Sequence, residues 1–475
     1  MQSSSKQTFN NAVIATQRFS LGARANDLKR IQKIEKQWLL NQLNFQPAVN
    51  FNTALPHSNN ILKIQSDFRT AQRAYRKKVK EAEKLNLTSD SQNKQQQSAI
   101  VKNIKAPKNP NGPLYRKLIQ DTLKQAITAD NSFNWRCLDF FSNHFSVTAQ
   151  NSTMRGLCAT LEREAIAAHL FSSFEELILA VYQHPAMLIY LNNETSIGPS
   201  TRYAKNNRGL NENLAREIME LHTLGVNGGY QQQDVTELAK GITGWSVGRP
   251  GKDKKQGFIF RAKMHETGVR TLMGKKYPSD GINQGIQMLK DIANHPNTAR
   301  FVCTKIIQHF INDQPPEALI NHLTHHWHKS HGQLKVVFQA LINHPLSWQA
   351  PLQKYKTPRE YVISTYRAIT LKNIPIQQVE NALTVLGQRP FQAGSPAGYG
   401  DLQEDWDGAS ALMARINWIS NLMTKKRLQK INVKKLIETL FADTLSEHSY
   451  QMITRAETRH QALVLLFLSP EFLRR

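Results

Sequence analysis

The chain has 475 residues, of which 40% are hydrophobic, enough for one large domain or two fused lobes. Lysine and arginine outnumber aspartate and glutamate by 61 to 36, so the formal net charge at pH 7 is +25 and we expect an acidic partner. The three cysteines form no CxxC pair, which argues against a disulfide framework, and no stretch approaches the roughly 18 apolar residues of a membrane-spanning helix.

The first residues lack the continuous apolar core of a signal peptide, so we expect a cytoplasmic protein. Hydrophobic residues recur at helical spacing almost throughout, which predicts a mainly α fold: one large multi-helix domain with one small β-hairpin near residues 257–277. Composition divides the chain into amino-terminal helices in 1–50, a basic helical arm and flexible connector in 51–113, and the main helical domain in 114–475. In the first part we expect two helices around Leu21-Gly22.

The helix expected over Arg69–Lys84 is strongly basic, with seven lysines and arginines against two glutamates. We therefore expect residues 60–108 to bind polyanions nonspecifically. The cations that would make the contacts are Arg73, Arg76, Lys77, Lys78 and Lys80. No stacking platform or base-reading motif accompanies them, so sequence specificity is not expected. The alternative is a solvated helix whose charges face water.

An aromatic stretch from Trp135 to Phe145 surrounds one histidine, His144. A histidine in such a setting is either a hydrogen-bonded core residue or part of a site, and both interpretations stay open. Further along, proline follows four apolar helical runs, and proline suits the first position of a new helix. The pairs that predict such corners are His184-Pro185, His295-Pro296, His344-Pro345 and Ser469-Pro470.

The densest run of polar residues and glycines lies between Arg208 and Val247. The spacing predicts a helix over 211–224, a glycine turn, and a second helix over 233–242. On the first helix, an apolar arc holds His222, and the opposite face is polar. Glu217 or Glu220 is the candidate base or metal ligand there, oriented by Arg216, and Glu212 lies at the edge of the same polar patch. The candidate binding residues are Asn211, Asn213, Asp234 and Trp245. The alternative is a solvated face with one ion pair and a buried, hydrogen-bonded His222.

Residues 257–277 break the helical rhythm, and the runs 258–260 and 269–273 are expected to pair as a hairpin around His265, a further candidate binding residue. His265-Glu266 lacks the second histidine of the HExxH zinc motif. Farther along, His322 and His326 have the spacing of a metal-binding pair. Their segment carries no carboxylate or thiolate, so we favour an incidental polar helix.

The string from Asn211 to Trp245, NENLAREIMELHTLGVNGGYQQQDVTELAKGITGW, closely resembles the signature of a large bacterial family called domain of unknown function 1800. The resemblance extends over nearly everything except residues 50–110. Two positions depart from the family pattern. Gln231 stands where threonine is usual and weakens the expected helix cap, and Asn192 stands where aspartate is common, which removes a charge.

The resemblance supplies no activity, and two classes of function stay open. In the first, an enzyme or enzyme-like protein gathers histidine, glutamate and arginine into one polar cleft, with a divalent metal as a candidate cofactor. The catalytic candidates are Glu217, Glu220, Arg216, His222, His144 and Glu212. In the second, a non-catalytic scaffold uses the basic arm to bind an acidic partner. The resemblance also implies a protein partner from the family called domain of unknown function 1501, which looks like a sulfatase or phosphatase relative.

Overall fold

The computed structural model of the protein describes residues 11–87, 105–204 and 209–475. Within those ranges the chain forms 23 α-helices and two small two-stranded antiparallel sheets, which confirms the predicted mainly α fold. The polar segment Ser89–Gln97, predicted as part of a connector, lies outside the described residues. In the described ranges, no helix is both long enough and apolar enough to cross a membrane.

Three short helices, not the two that the sequence predicts, occupy the described part of the first 50 residues: α1 (Asn11–Gln17), α2 (Asp27–Ile31) and α3 (Glu35–Gln42). The additional break lies at Lys33, whose φ of 74° is left-handed and cannot continue a helix. Gly22 forms the predicted turn with φ 96°, and a Cβ there would lie 2.7 Å from the Cβ of Ser364. Glycine therefore allows this turn to pack directly against a later helix.

The next segment forms one long helix, α4 (Ser58–Leu87), and then the helices that surround the centre of the molecule. These are α5 (Asn111–Thr128), α6 (Ser132–His144), α7 (Ser152–Leu161), α8 (Phe174–Gln183) and α9 (Pro185–Tyr190). Ten of the thirteen residues of α6 are buried, so this helix has no broad exposed face and lies at the centre of the core. A π-helical turn, Glu162–Ile166, follows α7 without interruption.

The helix predicted over 211–224 is shorter and changes its winding. It consists of α10 (Asn213–Glu217) and a π-helical turn, Ile218–His222. The turn closes where Thr223 Oγ1 donates to the carbonyl of Ile218 at 2.6 Å and the N–H of Gly225 donates to the carbonyl of Met219 at 3.0 Å. Gly225 has the predicted left-handed φ, 82°. The second helix, α11 (Gln232–Gly241), agrees with the prediction within one residue.

The strand pairing differs from the prediction. Strand β2 (Gly257–Phe260) pairs with β1 (Trp245–Gly248), with Trp245 opposite Phe260. Strand β3 (Arg270–Leu272) pairs with β4 (Lys275–Tyr277) in a tight hairpin within the predicted range. The two runs that we expected to pair therefore take different partners, because Trp245–Gly248, interpreted as the end of the helical hairpin, continues as a strand.

The remaining chain is helical. Its helices are α12 (Ile282–Ala293), α13 (Pro296–Phe310), α14 (Glu317–Ser330), α15 (Leu334–Asn343), α16 (Leu346–Gln349), α17 (Pro358–Ile369), α18 (Ile376–Val385), α19 (Ala409–Met423), α20 (Val433–Phe441), α21 (Glu447–Thr454), α22 (Arg459–Leu468) and α23 (Pro470–Leu473). The predicted proline corners are present. At three of them the residue before proline caps the new helix: His184 Nδ1, His295 Nδ1 and Ser469 Oγ each accept a backbone N–H.

Candidate functional site

A cavity of about 310 Å³ lies between α5, α6, α13, α17 and the loop that follows α18. The ionisable side chains that line it include Asp139, His144, Glu162, Lys305, His309, Arg359, Glu360, Arg389 and Asp401. They come from segments that are far apart in the sequence. Because perturbed ionisable groups gather in functional clefts, this cavity is the strongest candidate site in the described part of the chain.

One wall holds two carboxyl groups in different environments. Arg359 Nε and Nη2 both donate to Asp139 Oδ1, at 2.9 and 2.7 Å, and Asp139 Oδ2 has no hydrogen-bond partner among the described residues. Glu162, the first residue of its π turn, accepts from Thr122 Oγ1 at 3.1 Å. Burial raises the pKa of Glu162, and Asp139 acts in the same direction while Arg359 opposes it. Glu162 therefore keeps its proton to a higher pH than a free glutamate does.

Glu360, also on the cavity, is held by two buried arginines. Its Oε1 lies 2.9 Å from Arg136 Nη2 and 2.8 Å from Arg475 Nη2, and its Oε2 accepts from Arg475 Nε at 2.9 Å. Burial alone would raise the pKa of Glu360, but the two guanidinium groups lower it well below its usual range. The Thr357 N–H also donates to Glu360 Oε2 at 2.9 Å, which fixes the carboxylate to the first turn of α17.

A third charged group lies beside it. His309 Nδ1 donates to Asp401 Oδ2 at 3.2 Å, and the Lys354 amine donates to Asp313 and to the Asp401 carbonyl. Burial lowers the pKa of His309, and Asp401 partly offsets this. Because its Nε2 has no partner among the described residues, His309 has one ring nitrogen without a hydrogen bond.

Two of the predicted site residues meet at the cavity wall. His144 lines the cavity, and its Nε2 donates to the backbone carbonyl of His222 at 3.0 Å. His222 lies behind it in the core, with its ring stacked 6.0 Å from that of Tyr182. Burial lowers the pKa of His222 to about 3, so the imidazole is neutral at physiological pH. The two histidines, predicted as separate candidates, are thus in direct contact through this hydrogen bond.

The polar face of α10 forms a separate cluster. Arg216 lies 3.3 Å from both Glu212 and Glu220, and its side chain is 38% exposed. Burial raises the pKa of Glu217, and Glu220 acts in the same direction. None of these four residues lines the cavity. The residues predicted to share one cleft therefore lie in two separate places, with His144 at the cavity and the Arg216 cluster outside it.

The predicted binding residues lie around the helical hairpin and its strands. The Asn211 side chain accepts a hydrogen bond from the backbone N–H of Asn213. Asn213 itself is exposed. Asp234 accepts the N–H groups of Gln231 and Met273, at 2.8 and 2.7 Å, and so joins α11 to the β3–β4 hairpin. Trp245 is buried on β1, and His265 Nδ1 donates to the carbonyl of Thr243 at 3.0 Å. These contacts are of the kind that hold a fold together, and the binding role of the residues stays a prediction.

Among the described residues, no group of three or more histidine, cysteine, aspartate or glutamate side chains is arranged to hold a metal ion. Two histidines of α14 and a third that follows α15 lie near one another. The His322 ring lies 4.7 Å from that of His326 and 4.6 Å from that of His344. A divalent metal cofactor accordingly remains a prediction from the sequence.

Most of the cavity residues are not predicted from the sequence: Asp139, Glu162, Lys305, His309, Arg359, Glu360, Arg389 and Asp401. Two signals could have found some of them. Glu162 begins a Glu-Arg-Glu run directly after an apolar helix, and Arg359-Glu360 follows a proline at the start of another. A carboxylate inside such an apolar context needs a partner, and that is a reason to expect a buried ion pair.

Comparisons with known proteins add a family and no activity. The model of a family described as "Protein of unknown function (DUF1800)" matches residues 14–474. No curated protein matches the chain, and no solved structure does. The match covers nearly the whole chain, including every cavity residue named above.

Proposed function

We propose that this chain, which belongs to the family described as protein of unknown function DUF1800, is an enzyme that transfers protons on a small organic molecule bound in the cavity. One observation carries the proposal: Glu162 and Asp139 line the same cavity, one buried with a raised pKa and the other ion-paired with Arg359. Two carboxyl groups with different environments suit an acid and a base.

In this proposal Glu162 is the proton donor, because burial raises the pKa of its carboxyl and so favours the protonated form. Asp139 is the acceptor, since its Oδ2 carries no hydrogen bond among the described residues while Arg359 holds its Oδ1. His144 completes the wall, and its Nε2–H bond to the His222 carbonyl fixes the ring and leaves Nδ1 unprotonated. In this proposal the His222 carbonyl is a positioning group for His144.

The experiment compares ligand binding in two tryptophan variants. Ala397 lines the cavity and is exposed, so Ala397→Trp fills the entrance without disturbing the core. Ala74→Trp places the same side chain on the exposed part of α4 as the control. We expect compounds of a metabolite library that raise the melting temperature of the wild type and Ala74→Trp to have no effect on Ala397→Trp.

Compounds that bind are then incubated with wild-type protein and with Glu162→Gln, and products are measured by mass spectrometry. Loss of a general acid lowers turnover by about 100-fold to 10,000-fold. Equal stabilisation of the wild type and Ala397→Trp would contradict the cavity as the binding site. Equal turnover by Glu162→Gln would contradict the catalytic role of that carboxyl.

The second candidate function is polyanion binding by α4. Its first turns are anchored, because Ser58 donates to Glu164 at 2.6 Å and Arg69 donates to Thr153 at 3.0 Å. Beyond Arg69, cationic side chains are exposed along the helix, with one ion pair of 3.8 Å between Lys77 and Glu81 among the described contacts. The exposed cations Arg73, Arg76, Lys77, Lys78 and Lys80 support a scaffold function. The divalent metal and the partner from the second family stay predictions.

A further inference from the structure

We propose that the cavity binds its small molecule through an anionic group, a carboxylate or a phosphate, held by Lys305 and Arg389. This inference rests on the proposed function and specifies its substrate class: an organic acid with a short apolar body. It depends on which charges of the cavity are already neutralised by the protein and which are not.

Three of the four carboxyl groups that line the cavity have cationic partners. Asp139 is bound by Arg359, Glu360 by Arg136 and Arg475, and Asp401 by Lys354, whose amine lies 3.6 Å from Asp401 Oδ2. Burial favours the protonated form of the remaining carboxyl, that of Glu162. Because each ionised carboxylate faces at least one cation, the acidic side chains leave no excess negative charge in the cavity.

Two cations of the lining remain. Lys305, on α13, has no hydrogen bond or ion pair with an acceptor in the described parts of the chain, and its amine lies 5.5 Å from the ring of Phe301. Arg389, in the loop after α18, is exposed, and its guanidinium likewise has no ion pair with a described residue. Burial lowers the pKa of Lys305 and Asp401 only partly opposes this shift, so an approaching anion would stabilise the charged amine further.

The rest of the lining fits an apolar body. The side chains of Ile119, Phe140, Leu383, Pro390, Phe391 and Leu402 face the same space. At about 310 Å³ the cavity is at the small end of the range for small-molecule sites, roughly 300–1,000 Å³. A cation with an apolar tail would bring like charge to Lys305 and Arg389, so the arrangement discriminates against it.

The experiment titrates the full chain by isothermal calorimetry with three probes that share an octyl body: octanoate, octylamine and octan-1-ol. We expect octanoate to bind more tightly than the other two, and Lys305→Gln or Arg389→Gln to weaken octanoate binding about tenfold or more. Lys329→Gln, an exposed residue of α14 that does not line the cavity, is the matched control and should not change binding. Octyl phosphate identifies the head group, and tighter binding of either anion supports the inference.

Three outcomes overturn the inference: octylamine or octan-1-ol binding as tightly as octanoate, an unchanged octanoate affinity in both Lys305→Gln and Arg389→Gln, or binding of neither anion to the wild type. The proposed function has its own readouts, the Ala397→Trp comparison and turnover by Glu162→Gln, and neither involves Lys305 or Arg389. Neutral or cationic compounds that bind the wild type and not Ala397→Trp would therefore remove the anionic substrate class while leaving the catalytic cavity in place.

Discussion

Glu360 is a buried charge that is tolerated because its charged partners come from distant segments of the chain. Glu360 is 5% exposed, and Arg136 and Arg475 on either side of it are 1% and 0% exposed. Arg475 is the last residue of the sequence, and Arg136 lies on α6. The three ion-paired residues therefore join three separate segments of the chain around one carboxylate. The sequence does not pair these three residues, since pairing depends on how the helices pack.

Removing the carboxylate charge tests this group. Glu360→Gln would leave two buried guanidinium groups close together, with Asp401, 3.9 Å from Arg475, as the remaining carboxylate, and we expect a loss of about 3–5 kcal/mol in the free energy of unfolding. The measurement is urea unfolding at pH 7. Glu317→Gln is the control, since Glu317 and Arg300 form an ion pair at 2.9 Å with both side chains at least half exposed, and such pairs contribute about 0.2–1 kcal/mol. Equal losses for the two variants would show that Glu360 is not stabilised in the way the geometry indicates.

At the scale of elements, two π-helical turns hold residues of the site. Glu162 begins one, and His222 ends the other. A π turn adds a residue to a helical turn and shifts the side chains that follow onto another face, and such turns are frequent at functional sites. Apolar spacing over 211–224 predicted one regular helix, because a periodicity of three and four does not distinguish an added residue from ordinary variation in the pattern. The second helix of the same hairpin, predicted over 233–242, has a regular period and extends over Gln232–Gly241.

The basic arm is the element whose role can be tested by itself. Replacing Arg73, Arg76, Lys77, Lys78 and Lys80 together by glutamine should abolish binding to duplex DNA at low salt. Because released counterions supply the free energy, wild-type affinity should fall steeply with salt, with a slope of about −0.9 for each neutralised phosphate. The measurement is fluorescence anisotropy across a salt series.

The control for the arm removes the same charge elsewhere. The exposed residues Lys254, Lys255, Lys263, Lys434 and Lys435 lie outside α4, and their combined change to glutamine should leave most of the binding intact. The arm substitutions leave the buried side chains of Ile61 and Leu62 in place, whereas a deletion of residues 60–108 would remove them. Equal loss of binding in the two variants would mean that net charge, and not the arm, attracts the polyanion.

At the scale of the whole molecule, the sequence predicts the helices better than what they enclose. Helix type follows from local spacing, but the cavity needs α5, α6, α13 and α17 to be placed beside each other, and no local pattern specifies that. Of the predicted catalytic residues, His144 reaches the cavity, and the Arg216 cluster lies outside it. The strand partners were wrong for a related reason: Trp245–Gly248 is too short for a period-two pattern to be recognised.

The dense core also sets how the molecule responds to acid. Burial lowers the pKa of His144, His222 and His309 below the ordinary value. As the pH falls, these histidines therefore take up protons in the unfolded chain before they do so in the folded protein, which favours unfolding. Stability from these histidines is therefore complete above about pH 6.5 and is lost as the pH decreases from there towards the folded-state values. This predicts an acid-sensitive fold in which buried imidazoles contribute much of the sensitivity.

His222 permits the sharpest test, because its folded pKa is about 3 and neither ring nitrogen has a hydrogen-bond partner in the described part of the chain. Between pH 6.5 and the folded-state pKa, the buried His222 should lower the free energy of unfolding by about 1.4 kcal/mol for each unit by which the pH falls. His222→Phe keeps an aromatic ring against Tyr182 and Phe145 and removes the titrating group. Urea unfolding at pH 7.5, 6 and 5 should show the wild type losing stability faster than His222→Phe by that slope, whereas the exposed-site control His448→Phe should follow the wild type. Parallel losses in wild type and His222→Phe would mean that the buried imidazole takes up its proton without unfolding.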